Sequence, residues 1–167
     1  SPNAQSFYAD NNTSYGQLAA NSGASATSDV PKSQLYLTLQ TLMKENHDKQ
    51  TSYDGTKDLY AYTDCQGSGI TSNKISSFYS GTAIGPAWDS GATWNREHTW
   101  PDSKGMNGRD EDDIMMLRPT SKSENSSRGN NAYGASAGYY DPNKLGMTLR
   151  GDVARIMLYQ YVRGGNT

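Results

Sequence analysis

The sequence predicts a mixed α+β domain whose centre is a strand–strand–helix unit, a long hairpin plus a helix, flanked by helices and irregular loops. Three observations carry this expectation. Apolar side chains recur at helical spacing near one end of the chain (Leu35, Leu39, Leu42, Met43) and near the other (Val153, Ile156, Met157, Tyr161). Between them, two short β-favouring stretches, residues 93–100 and 112–117, are joined by a polar, Gly-containing connection. After Pro119 a polar stretch with acceptable helix formers follows.

Residues 1–30 are rich in Ser, Ala, Asn and Gly, above all over residues 19–28, and read as an extended polar lead-in; the folded domain is expected over residues 31–167. Pro31 suits a first helical turn, and the apolar spacing carries that helix to about residue 46. Leu59-Tyr60-Ala61-Tyr62-Thr63 has strand composition, and Gly67-Ser68-Gly69 punctuates the chain before Tyr79-Ser80-Gly81. The two central strands come next. Pro119 is read as ending the second, and residues 120–127 as opening a short helix that carries Asn125, Arg128 and Asn130. A Gly-, Tyr- and Asn-rich loop over residues 131–147 leads to a final amphipathic helix over about residues 148–162.

The 167 residues suit one domain, and a chain of that size buries roughly 70% of its unfolded surface. Only 34% of the residues are hydrophobic and 19% charged, with twelve tyrosines, so the surface is polar but weakly charged. A net charge of −2 excludes bulk attraction to a polyanion, and any nucleic-acid site must be local. The longest apolar runs, such as Ile114-Met115-Met116-Leu117, fall far short of the roughly 20 residues that cross a bilayer. Cys65 is the only cysteine, which excludes an internal disulfide and a cysteine-based metal site. Low Lys, abundant Asn, Ser, Thr and Tyr, and the single thiol lean toward a bacterial extracytoplasmic protein, secreted or periplasmic, while the abrupt polar start, which also fits a mature protein, decides little.

The strongest local feature is Glu97-His98, flanked by Trp94, Asn95, Arg96, Trp100 and Pro101. A carboxylate offers a hard oxygen ligand for a divalent cation, and an imidazole offers a base that titrates near neutrality. Consecutive strand residues point to opposite faces, so both serve one pocket only if the strand ends, bulges or twists there; Pro101 is consistent with an ending. A bare Glu-His pair is more often a solvated charge beside a hydrogen-bonded surface histidine. Other candidates have plainer readings. His47 suits a cap or a packing role near the end of the first helix, and Cys65 a small, partly buried side chain. Tyr139-Tyr140 suit the polar–apolar boundary better than a base-stacking platform, and Asp110-Glu111-Asp112-Asp113 suit a solvated turn.

Asn95-Arg96-Glu97-His98-Thr99-Trp100-Pro101, then Asp113-Ile114-Met115-Met116-Leu117-Arg118-Pro119, then Asn125 with Arg128-Gly129-Asn130, closely resembles the bacterial endonuclease I family of the ββα-metal (His-Me finger) nucleases. The likeness extends more loosely to Thr63-Asp64, Tyr79-Ser80-Gly81 and Gly151-Asp152-Val153-Ala154-Arg155. The resemblance implies that the strand–strand–helix unit is a ββα-metal finger. His98 would be the general base, and Glu97 and Asn130 the ligands of a single Mg²⁺, with Ca²⁺ or Mn²⁺ as substitutes; Asn131 leaves the second ligand open by one position. It also implies a product-steadying arginine, for which Arg109 has the expected place and Arg118 and Arg128 are rivals. Asn125 and Arg128 would support the site structurally. The implied activity is sequence-independent endonucleolytic hydrolysis of DNA and RNA, leaving 5′-phosphate ends. Family members usually continue beyond the last helix, so a chain ending at Thr167 is expected to be short or truncated. The alternatives are a secreted carbohydrate- or surface-binding module, which Tyr, Trp and Asn would suit equally, and an inactive protein of nuclease fold.

Overall fold

The computed structural model describes residues 34–47, 49–67, 74–105 and 111–164; the polar lead-in expected over residues 1–30 lies outside them. The described residues form a mixed α+β fold: helices α1 (Gln34–Glu45), α2 (Tyr53–Thr63), α3 (Lys122–Arg128) and α4 (Arg150–Gly164), with two small antiparallel sheets. One sheet pairs β1 (Ile75–Ser76) with β2 (Ala83–Ile84), and the other pairs β3 (Trp94–His98) with β4 (Leu117–Ser121). The described residues divide into two compact units, one within residues 50–158 and a smaller one within residues 34–49 and 159–164.

In the smaller unit α1 meets the end of α4. Tyr36 is buried and packs edge-on against Tyr161 with ring centroids 5.8 Å apart, and Gln40 Nε2 donates to the Val162 carbonyl at 3.0 Å. Leu39, Leu42 and Met43, expected to form the apolar stripe, are only half-buried. His47 meets Arg163, its ring nitrogen 3.2 Å from the guanidinium, which is a packing role.

The larger unit is built on β3 and β4. The strand predicted over residues 59–63 is instead the second half of α2. The Ser52 side chain caps that helix by accepting from Gly55 N–H at 3.0 Å, and the buried positions Thr56 and Tyr60 fall four apart, the spacing of a helix face. Tyr and Thr have strand propensity only in so far as they cover a pleated surface, and here Tyr60 packs on Trp94 instead (centroids 6.1 Å). The second central strand also sits later than expected. Residues 111–116 form turns, and pairing begins at Leu117. Asp113, read as a solvated turn residue, is buried: its carboxylate accepts from Met115 N–H at 2.9 Å, and its carbonyl accepts from Met116 and Leu117.

Pro119 lies inside β4, opposite Arg96, rather than ending it. Phe78 N–H donates to the Pro119 carbonyl at 2.8 Å, so the Pro119 backbone faces away from β3 and its missing N–H costs the ribbon no ladder bond. On the same outer edge Tyr60 Oη donates to the Leu117 carbonyl at 2.9 Å, and Ser121 N–H donates to Ser77 Oγ at 2.9 Å. Ser121 then caps α3 by accepting from Glu124 N–H, so β4 passes into the helix without a loop. Two apolar clusters back the ribbon. Tyr60, Ile75 and Trp94 form one, and Phe78, Tyr79, Met116, Tyr140, Leu149, Val153 and Ile156 the other. Tyr140, half of the tyrosine pair read as boundary-filling, is thus a core residue, while Tyr139 is exposed.

Trp94→Ala is expected to cost ~3–5 kcal/mol by opening a cavity between α2 and β1. Tyr60→Phe, which leaves the Leu117 carbonyl without its donor, should cost about 1–3 kcal/mol. Urea denaturation followed by tryptophan fluorescence or circular dichroism measures both.

Candidate active site

β3 lies between two helices, and its alternation divides the work. Trp94, Arg96 and His98 face α2, and Asn95 and Glu97 face α3. On the α2 side the Arg96 guanidinium sits 3.7 Å from the Tyr53 ring centroid and 4.8 Å from that of Trp88. The His98 ring stacks on Tyr53, with centroids 5.8 Å apart and planes 16° from parallel. Burial of the imidazole lowers the His98 pKa below its ordinary 6.5, against the opposing pull of Asp102, so the ring is neutral at neutral pH.

On the α3 side Glu97 and Arg128 are each 1% exposed and form an ion pair, Nη1 to Oε1, at 2.6 Å. Arg128 Nη1 also donates to the His98 carbonyl at 2.6 Å, Nη2 to the Thr99 carbonyl at 2.8 Å, and Nε to the Asn131 carbonyl at 3.1 Å. Its guanidinium lies 4.5 Å from the Tyr133 ring centroid. Tyr79 Oη donates to the same Glu97 Oε1 at 2.8 Å. Both bonds fall on one oxygen, so neither engages Oε2. Burial pushes the Glu97 carboxyl up to about 7, with Arg128 as the largest influence holding it down and the Tyr79 hydroxyl next.

Asn125 Nδ2 donates to Asn95 Oδ1 at 2.7 Å, which ties the middle of α3 to β3 through two side chains. Gly129 ends the helix with φ 53° and ψ −135°, a backbone that side chains disfavour, and turns the chain so that exposed Asn130 follows. At the end of β3 a cavity of about 90 Å³ opens, lined by Glu97, His98 and Asn130 together with Arg96, Asp102, Asn125 and Arg128. The strand's termination at His98 is what lets side chains from both of its faces reach one space. Of the two asparagines that left the register open, Asn130 lines the cavity, while Asn131 gives its carbonyl to Arg128.

The family model of endonuclease I matches residues 27–149. The chain belongs to the endonuclease I family. Membership makes it a nuclease, a hydrolase whose substrate is nucleic acid. No curated protein and no solved structure matches the chain. Within the matched span the cavity brings together five residues singled out from sequence, Glu97, His98, Asn125, Arg128 and Asn130. Arg109 lies outside the described residues. Of its rivals, Arg118 pairs with Asp64 at 2.5 Å, and Arg128 is engaged by Glu97 and three carbonyls. Sequence reasoning did not single out Tyr53, Tyr79, Tyr133 or Arg96 as site residues. Among twelve tyrosines only Tyr79 carried a signal, its place in Tyr79-Ser80-Gly81.

Arg128→Met is expected to destabilise the fold by about 3–5 kcal/mol, because it leaves the Glu97 carboxylate buried without its counter-charge. Adding Glu97→Gln should recover part of that loss. Chemical denaturation of the two single variants and the double variant measures the coupling.

Proposed function

We propose that this endonuclease I family member is a metal-dependent, sequence-independent endonuclease of the ββα-metal type, with His98 as general base and Glu97 and Asn130 as the protein ligands of one Mg²⁺. The observation that carries the reading is the convergence of these three side chains on the cavity at the end of β3. The donor set fits such an ion. Glu97 offers a carboxylate oxygen not engaged by Arg128 or Tyr79, and Asn130 a neutral amide oxygen, leaving the remaining positions to waters and a phosphate oxygen, as Mg²⁺ prefers. Ca²⁺ or Mn²⁺ would substitute. When bound, the ion supplies positive charge beside the scissile phosphate and the departing 3′ oxygen.

The chain's own residues do the rest. Neutral His98, its plane fixed by the Tyr53 ring, takes a proton from water on one ring nitrogen. The water oxygen bonds to phosphorus as the bond to the 3′ oxygen breaks, which leaves a 5′-phosphate and a 3′-hydroxyl. Arg128 and Asn125 hold β3 to α3 so that His98 and Asn130 keep their separation. The low charge of the chain supports recognition by backbone shape and local cations rather than by bases, and so activity on both DNA and RNA. Exposed Lys104 and Lys122, on the turn after β3 and at the start of α3, are suited to that contact, and Arg109 is proposed to steady the product. Composition supports a secreted or periplasmic location in bacteria, and among the described residues no helix is long and apolar enough to cross a membrane.

Plasmid nicking should require a divalent cation and stop in EDTA; cutting that persists in EDTA overturns the metal. His98→Ala should slow single-turnover cleavage by roughly two to four orders of magnitude while keeping metal affinity, whereas Glu97→Ala and Asn130→Ala should weaken metal binding, the second recovering at higher metal concentration. Loss of metal binding in His98→Ala would make the imidazole a ligand and discard the mechanism.

Binding of the His98→Ala variant to duplex DNA, measured in Mg²⁺, should weaken with salt, log affinity falling against log salt by about 0.9 for each phosphate contacted. An affinity indifferent to salt contradicts the proposed recognition.

A further inference from the structure

Behind Glu97 lies a chain of hydroxyls that the reaction itself does not use. Tyr79 is fully buried, and its Oη stands 2.8 Å from Glu97 Oε1 and 2.5 Å from Tyr133 Oη. Burial raises both phenols well above their ordinary pKa, so each keeps its proton. The direction of the chain follows from charge. An ionised Glu97 only accepts, so the single proton of Tyr79 goes to it; Tyr79 must then accept, and Tyr133 donates. With Tyr79 and Arg128 Nη1 both on Oε1, that oxygen is occupied, and the carboxylate plane is fixed by two donors on one side. The Tyr133 ring is also held, lying under the Arg128 guanidinium and among the rings of Tyr79 and Tyr140.

We infer that Tyr79 and Tyr133 are positioning residues: the Tyr133–Tyr79 hydroxyl chain, with Arg128, occupies Oε1 of Glu97 and thereby reserves Oε2 for a divalent cation in the cavity. This rests on the proposed role of Glu97 as a metal ligand. The partner of a ligating group fixes its orientation and basicity, and its loss typically lowers metal affinity about 10–100-fold. Tyr79→Phe removes one of the two donors on Oε1 and lets the carboxylate rotate. Tyr133→Phe leaves that bond in place but withdraws the donor that polarises it, so its effect is smaller. Phenylalanine keeps the Tyr79 ring in the core and the partly buried Tyr133 ring packed against it, so the fold should survive.

The test is calorimetric titration of the full chain with Mn²⁺ alone, for the wild type, Glu97→Ala, Tyr79→Phe and Tyr133→Phe, with the metal-free melting temperature measured beside it. The expected result is a roughly tenfold or greater weakening in Tyr79→Phe and a smaller, measurable weakening in Tyr133→Phe, with each variant folded before metal is added. Weak binding by Glu97→Ala together with wild-type affinity in both phenylalanine variants overturns the positioning role while leaving Glu97 a ligand. Wild-type affinity in Glu97→Ala removes the ligand role itself, and the inference with it. Should Tyr79→Phe fail to fold, Tyr133→Phe decides alone: an affinity equal to wild type overturns the chain of hydroxyls.

Discussion

The buried pair between Glu97 and Arg128 is the constraint on which the rest of the larger unit depends. An ionised carboxylate inside a protein is costly unless its charge is met and its lone pairs are filled. Arg128 meets the charge and at the same time fills the carbonyls of His98, Thr99 and Asn131, which lie on two separate stretches of backbone. One guanidinium therefore welds the end of β3 to the turn after α3. A lysine could supply the charge but not the planar fork that reaches several acceptors at once. The cavity exists at this weld because the strand ends and the helix ends at the same place.

That arrangement answers a difficulty in the chain itself. Glu97 and His98 are adjacent and so belong to opposite faces of a strand. The fold gives each face its own helix: α3 takes the carboxylate into a dry setting of arginine and tyrosines, and α2 offers the imidazole a flat aromatic partner. The two environments act on the groups in opposite senses. Burial raises the carboxyl and lowers the imidazole, because in each case it disfavours the charged form.

Much of this was legible before any coordinates, but unevenly. The residues of the cavity were readable because they fall in short, ordered motifs, and β3 and α3 were readable from composition, although Pro119 was misread as the end of β4. What failed depended on hydrogen bonds and packing partners that residue type alone does not specify. Residues 59–63 look like a strand until Ser52 caps a helix upstream and Tyr60 finds Trp94, thirty-four positions on. Asp113 looks like a surface carboxylate until its own turn gives it an N–H to accept. Tyr133 could not be told from the other tyrosines, and the motif that marked Tyr79 gave no role, because what distinguishes the two is a hydroxyl contact spanning 54 residues.

The placement of Pro119 bears on how the molecule behaves among its own copies. A two-stranded ribbon has two outer edges, and an open edge is a template for pairing with a neighbour's strand. Along β4 that edge is taken: Tyr60 and Phe78 occupy the outward carbonyls of Leu117 and Pro119, Ser77 occupies the Ser121 N–H, and at Pro119 there is no N–H to offer. A chain of net charge −2 has little electrostatic repulsion to keep its copies apart. Its resistance to edge-to-edge association along β4 is therefore written into backbone chemistry, and does not depend on the salt or pH in which the protein finds itself.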